Sequence, residues 1–268
     1  MRTIRVRFLF TIALGLILGL CGCSNSVENI KGRFQAVEYI DTLYYDTSEQ
    51  SAHYDFSLYV MKAKGDDEFA NKVNSDIVEI LFGYNDISLE ESIDLFLKSS
   101  MRFFREDITE IKAFNKKENI DIPEFGYTFF LNTRVKDGGK GVVNYIIDQY
   151  SYSGGAHGNT LITCRNYYAE NGNLITLNDI LIPGYSDFLR PVLLEALKKK
   201  TESVNVDDLR GKGFLTMNEI FVPDNYIIKS DTLKFIFNQY EIAPYSTGVI
   251  ELSVPMSELS ESWLKKHR

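Results

Sequence analysis

Positive charge is scarce in this 268-residue chain. Its 29 Lys and Arg stand against 37 Asp and Glu, giving a formal charge of −8. That balance argues against nucleic acid as a partner, because phosphate backbones reward clustered Lys and Arg. Histidine is equally sparse, with three in the chain. There is no His-x-x-x-His, His-Glu-x-x-His or Cys-x-x-Cys, so a zinc site would need carboxylates gathered from distant segments. No Gly-x-Ser-x-Gly elbow marks a hydrolase nucleophile, and no Gly-Lys-Ser/Thr marks a phosphate loop. These absences lead us to expect no catalytic residue, no metal and no cofactor. Internal repeats, low-complexity tracts and proline-rich linkers are also missing.

Cysteine is confined to Cys21, Cys23 and Cys164. The first two sit at the end of a targeting pattern. Arg2, Arg5 and Arg7 precede the uncharged apolar run Phe8 to Leu20, which is short for a membrane span and suits a signal-peptide core. Leu20-Cys21-Gly22-Cys23 has the order of a lipobox, with cleavage expected before Cys23 and lipid on its thiol. An ordinary secretory signal is the alternative. The expected division is a lipoprotein signal over 1–22 and a tether over 23–33. The body is then membrane-anchored through lipid in the cell envelope, without spanning the bilayer. Ser24, where an Asp would mark inner-membrane retention, favours the outer membrane. Cleavage removes three arginines and moves the formal charge from −8 to about −11. Cys164 is left without an intramolecular partner, so the exported body must be held by its core. Its apolar surroundings suggest a small buried hydrophobe rather than a nucleophile.

Hydrophobic residues make up 44% of the chain, ample for such a core. His53 to Val60 alternates apolar and polar and predicts a strand, with Phe34 to Tyr45 as its partner. Asp66-Asp67-Glu68 opens a helix with an apolar stripe of Phe69, Val73, Ile77 and Ile80, stopped by Gly83. Ser88-x-x-Glu91 is a capping box for a second, longer helix that ends within Asn115 to Asn119, and Pro123 starts the next segment. From Phe125 the period becomes two. Asp137-Gly138 and Asn171-Gly172 read as hairpin turns. They frame strands through Phe125–Val135, Val142–Tyr152, Thr160–Tyr168 and Leu174–Leu177, expected as a four-stranded antiparallel meander. A helix containing Pro191 follows over Ser186 to Lys200. Strands then return at Asn225–Ile228, Thr232–Asn238 and Val249–Val254. The expected class is α+β, antiparallel meander sheets with packed helices. A small strand-helix unit over 34–84 precedes a larger domain over 85–260, with a tail over 261–268.

Two stretches stand out. Ser151-Tyr-Ser-Gly-Gly-Ala-His-Gly-Asn159 breaks the strand pattern with three glycines around His157. The glycines suit a turn or a close backbone approach. The imidazole could stack, donate a hydrogen bond, hold a metal or act as a base. A structural turn is favoured over ligand contact, and both over catalysis. Asn238 to Gly248 joins two apolar strands through Tyr240, Glu241, Pro244 and Tyr245. It reads as a tightly packed connection or, in a sharper reading, as a tyrosine-rich recognition surface.

Tyr150-Ser-Tyr-Ser-Gly-Gly-Ala-His-Gly158 resembles the Tyr-x-Gly-Gly-Ala-His signature of the RsiV-type extracytoplasmic domain, a domain of unknown function in most of its occurrences. Phe237 to Tyr245 with Gly248 is similar to that domain's second signature. The preceding strand-helix unit resembles the accessory domain named after the deacetylase PdaC. Together the resemblance covers residues 34 to 260. It implies an α+β fold. In PdaC-like enzymes the deacetylase is a separate domain, whose Asp and His metal ligands have no counterpart here. In the RsiV-like anti-sigma factor the region is an extracellular sensor that binds lysozyme. The factor's sigma-binding segment and membrane helix are not matched. The resemblance therefore implies recognition of lysozyme or a peptidoglycan component, with Tyr150, Tyr152, Gly154, Gly155, His157, Tyr240, Glu241 and Tyr245 as binding candidates. A wall-modifying hydrolase and a purely structural envelope lipoprotein are the alternatives. Oligomeric state is left open.

Overall fold

A computed structural model describes residues 30–46, 52–118 and 126–265. The signal, Cys23, most of the tether, Pro123 and His267 lie outside the described residues. The class is α+β, as the period changes predict. A five-stranded sheet in the order β1-β2-β3-β4-β5 is built from Phe34–Tyr44, His53–Ala63, Gly126–Gly139, Val142–Tyr152 and Asn159–Tyr168. A three-stranded sheet, β6-β7-β8, is built from Tyr226–Lys229, Thr232–Phe237 and Ile250–Pro255.

The helices start and stop where their local chemistry dictates. α1 spans Glu68–Phe82, and the Asp67 carboxylate accepts from Ala70 N at 2.8 Å. Gly83, at φ +72°, closes it with a hydrogen bond back to Glu79 O. Its buried face uses Phe69, Ala70, Val73, Ile77 and Val78, while Ile80 is turned outward. α2 spans Leu89–Glu118, ending within the polar stretch expected to close it. Ser88 Oγ accepts from Glu91 N at 3.1 Å. Both helices cover one face of the five-stranded sheet, where Phe56, Leu58, Val60, Leu131, Tyr145 and Tyr167 form the first core. No helix among the described residues is long and apolar enough to cross a membrane.

β3, β4 and β5 pair antiparallel as expected, but the sheet is extended by a pairing that no local pattern foretold, and the expected fourth strand is missing. The β2–β3 pair is parallel, with His53 opposite Gly126, so the sheet is not a simple meander. α1 and α2 form the crossover that parallel strands require. Nor is Leu174–Leu177 a strand. Leu174 makes one isolated bridge to Tyr167, and Leu177 already begins α3, Leu177–Ile180. The reason is local: the Asp179 carboxylate accepts from Thr176 N at 2.8 Å and Thr176 Oγ1 at 2.7 Å, which nucleates a turn of helix instead. The position expected to divide two domains, 84/85, falls between α1 and α2, which pack on the same sheet. The change of sheet comes later, between Tyr168 and Tyr226.

The second sheet packs its Phe235, Phe237, Leu252 and Val254 against α4, Tyr185–Thr201. Pro191 lies inside α4. A short helix, α5, Val206–Gly211, closes this second core with Leu209.

Where the sheets meet, edge strands β5 and β6 carry backbone groups that no further strand pairs, and side-chain amides take the missing strand's place. Asn238 Oδ1 accepts from Ile162 N at 2.8 Å, and Asn225 Oδ1 accepts from Cys164 N at 2.9 Å. Both side chains also donate to Ile162 O, at 3.0 and 2.8 Å. In the other direction Asn166 Nδ2 donates to Tyr226 O at 2.9 Å, and its Oδ1 accepts from Ile228 N at 3.1 Å. Asn144 Nδ2 donates to Ile228 O at 2.8 Å. Ile146, Cys164, Ile227 and Ile236 fill the space beneath these bonds. Leaving a buried backbone group unpaired costs about 1–3 kcal/mol. Replacing Asn166, which is 2% exposed, by leucine keeps the branched outline and strands two such groups. We expect Asn166→Leu to lower the unfolding free energy by about 2 kcal/mol or more in a denaturant titration. An unchanged midpoint would show that the amide does not hold the junction.

Candidate functional site

The junction brings the two unusual loops together. The first connects β4 to β5 across the closing pair Ser151–Asn159. Gly154 and Gly155 take φ +94° and +89°, conformations that side-chain-bearing residues rarely adopt. Gly158 serves differently. A Cβ there would lie 2.5 Å from the Tyr150 ring, so this glycine lets the ring close over the backbone. Tyr152 Oη donates to Gly155 O at 3.1 Å and braces the turn.

The second loop follows β7. Glu241 accepts from Asn238 N at 2.8 Å through its carboxylate, forming a local turn. Tyr240 is left-handed at φ +68°. Ile242 and Ala243 are buried in the second core. Pro244 leads a short 3₁₀ turn, Tyr245–Thr247, which ends at Gly248 with φ +74°. Gln239 ties the loops together: its Oε1 accepts from Thr160 N at 3.2 Å and its Nε2 donates to Tyr245 O at 3.2 Å.

The product is an exposed aromatic corner. The His157 imidazole stacks on Tyr245 with centroids 3.8 Å apart and planes 17° apart. Tyr240 and Tyr245 lie 5.8 Å apart, and Tyr240 Oη is 3.5 Å from His157 Nε2. His157 Nδ1 lies 3.2 Å from Gly158 O. A proton on Nδ1 satisfies both contacts, donating to the carbonyl and leaving Nε2 to accept from Tyr240. Of the expected candidates, His157, Tyr240 and Tyr245 are in mutual contact, and Tyr152, Gly154 and Gly155 shape the turn beside them. Tyr150 covers Gly158. One carboxylate oxygen of Glu241, Oε2, is engaged by Asn238 N.

The corner offers ring faces, hydroxyls and one imidazole edge, which suit stacking and hydrogen bonding. His157 lines neither of two concavities elsewhere on the surface. One, of about 480 Å³, lies between α2 and the ends of β2 and β3 and reaches Ser153. The other, of about 1,100 Å³, lies along α4 and β8. Among the described residues no group of three or more His, Cys, Asp or Glu side chains is placed to hold a metal ion. Sequence reasoning missed Gln239, Asn225, Asn166 and Asn144. The available signal was polar amides inside otherwise apolar strands.

Cys164 is free and 2% exposed at the junction. Burial, with Asp148 nearby, pushes its thiol up to about 12. The thiolate is therefore scarce at every pH where the fold is handled. Thiol reagents at pH 8 should leave Cys164 unlabelled in the native protein and label it on denaturation, as read by peptide mapping; labelling of Cys164 in the folded state at a free-thiol rate would contradict this burial.

Two family models match the chain. Residues 46–160 match the model described as "Deacetylase PdaC", and residues 178–257 match "Protein of unknown function (DUF3298)". The chain thus carries a PdaC-type and a DUF3298-type region. The Gly-Gly-Ala-His loop lies in the first and the tyrosine loop in the second, so the corner is built by both. Over 125 residues, 46% of this chain, it is 28% identical to the peptidoglycan-N-acetylmuramic acid deacetylase PdaC of Bacillus subtilis. The match covers 26% of that protein, about a quarter of its length. A crystal structure of a DUF3298 family member from Bacteroides fragilis has a TM-score of 0.77 at 22% identity, covering 90% of this chain and 94% of that one. A DUF3298 family protein from Pseudomonas aeruginosa has a TM-score of 0.58 at 18% identity, covering 87% and 94%. At these identities the likeness is one of fold.

His157 is exposed and stacks on a half-buried Tyr245, and aromatic pairs contribute about 0.5–1.5 kcal/mol. His157→Ala should therefore lower stability by about 1 kcal/mol or less and leave the far-ultraviolet dichroism unchanged. Global unfolding of this variant would make the imidazole a structural keystone rather than a surface group.

Proposed function

We propose that this is a lipid-anchored protein of the cell envelope whose body is a non-catalytic binding or sensor-like module. It recognises lysozyme or a peptidoglycan component through the aromatic corner. The observation that carries this reading is the exposed His157 ring stacked on the half-buried Tyr245, held in place by Gln239 and fed by both loops. A ring face with a hydroxyl and an imidazole edge beside it is the chemistry of recognition surfaces, which are enriched in tyrosine. The PdaC-type and DUF3298-type regions support an association with the cell wall. The PdaC relative acts on peptidoglycan by its name, and its matched quarter does not carry that activity over. An acidic body, at −8 overall, favours encounter with a cationic wall enzyme.

Retention on purified peptidoglycan sacculi and on immobilised lysozyme, at micromolar protein and low salt, tests this reading. We expect the wild-type chain to be retained on one of the two, and Tyr245→Ala or His157→Ala to weaken retention at least about tenfold, or 1.4 kcal/mol. Absence of retention on both contradicts the reading. So does acetate or fragment release from sacculi by the wild type that His157→Ala abolishes, which would make the module a hydrolase.

A further inference from the structure

Four strands bound the two sheets: β1, β5, β6 and β8. β5 and β6 are capped by side-chain amides, Asn225 and Asn238 along β5 and Asn144 and Asn166 along β6. β1 carries Glu38 and Asp41, whose like charges oppose self-pairing. β8 is different. Met256 N donates to Asp231 O, which fixes the phase of the β7–β8 ladder. Leu252 and Val254 therefore bond to β7, while Glu251 and Ser253 direct their N–H and C=O groups away from it. Glu251 and Ser253 are exposed, and Pro255 ends the row because it has no N–H. The 1,100 Å³ groove runs beside this edge, walled by Val192 and Ala196 of α4 and by Leu252.

The charges along the groove select its occupant. Lys234 is paired with Glu251 at 2.7 Å, and Glu195 with Lys198 at 2.7 Å. Lys199, Lys200 and Lys229 line the groove without an ion pair among the described residues, and so do Asp231 and Glu258. A partner of one sign would satisfy one set and oppose the other. A patch that holds both unpaired signs beside a short free strand edge is complementary to itself. We propose that β8 is the interface of a two-fold homodimer, in which the β8 edges of two copies pair antiparallel and join their small sheets into one of six strands. With Leu252 on the two-fold axis, Glu251 of one copy pairs with Ser253 of its mate, giving four inter-chain hydrogen bonds and keeping like carboxylates apart. The lysines of one α4 then face the carboxylates of the other groove.

Sedimentation equilibrium of the full 268-residue chain in density-matched detergent tests the dimer. The wild type should show a concentration-dependent doubling of protein mass that weakens as salt is raised. Ser253→Pro removes an outward N–H and leaves the ladder to β7 intact. It should weaken self-association at least about tenfold with an unchanged dichroism spectrum. Should that variant fail to fold, the surface variant Lys199→Glu/Lys200→Glu gives the same readout and the same expected loss. A chain that stays monomeric up to about 100 µM, or a dimer that tolerates the folded variants, overturns the proposal.

Discussion

Edge strands β5 and β6 present backbone donors and acceptors where a sheet would normally add another strand. In this protein five side-chain amides occupy that place. Asn225 and Asn238 act as two residues of a missing strand along β5, and Gln239 extends the row to Thr160. Asn166 and Asn144 do the same for β6. Because each amide offers both a donor and an acceptor, one asparagine can satisfy neighbouring N–H and C=O groups at once. The two sheets are thereby joined without continuous strand pairing, and each seals an edge that would otherwise invite another chain.

The aromatic corner follows from that junction. His157 is on a loop of the first sheet and Tyr245 on a loop of the second, and nothing in either loop alone would bring the rings to 3.8 Å. Asn238 and Gln239 sit immediately before Tyr240, so the residues that staple the sheets also launch the tyrosine loop. Stability and the site share a few consecutive residues, and a change that loosens the staple displaces the rings.

Local features were legible in the sequence because they are decided by neighbours. Asp67 and Gly83 delimit α1 by capping chemistry, His53–Val60 alternates as a half-buried strand should, and Gly154 and Gly155 mark a turn that needs positive φ. The parallel pairing of β2 with β3 was not legible, because its partners are separated by two helices and periodicity carries no information about parallel or antiparallel order. Leu174–Leu177 misled through its apolar pattern, while the Thr176–Asp179 pair quietly specified helix. Both loops could be picked out from glycine and tyrosine content. That they stack on each other, and that Gln239 and four asparagines hold them there, depends on contacts between segments far apart in the chain, which no local pattern records.

Amide hydrogen exchange, read residue by residue by nuclear magnetic resonance, tests the amide junction most directly. If side-chain amides hold the edges as strands would, the N–H groups of Ile162, Cys164 and Ile228 exchange as slowly as that of Phe235 in the middle of β7, close to the rate of global unfolding. Exchange at those three positions orders of magnitude faster than at Phe235 would mean that the edges are open to water and that the junction is not what holds the two sheets together.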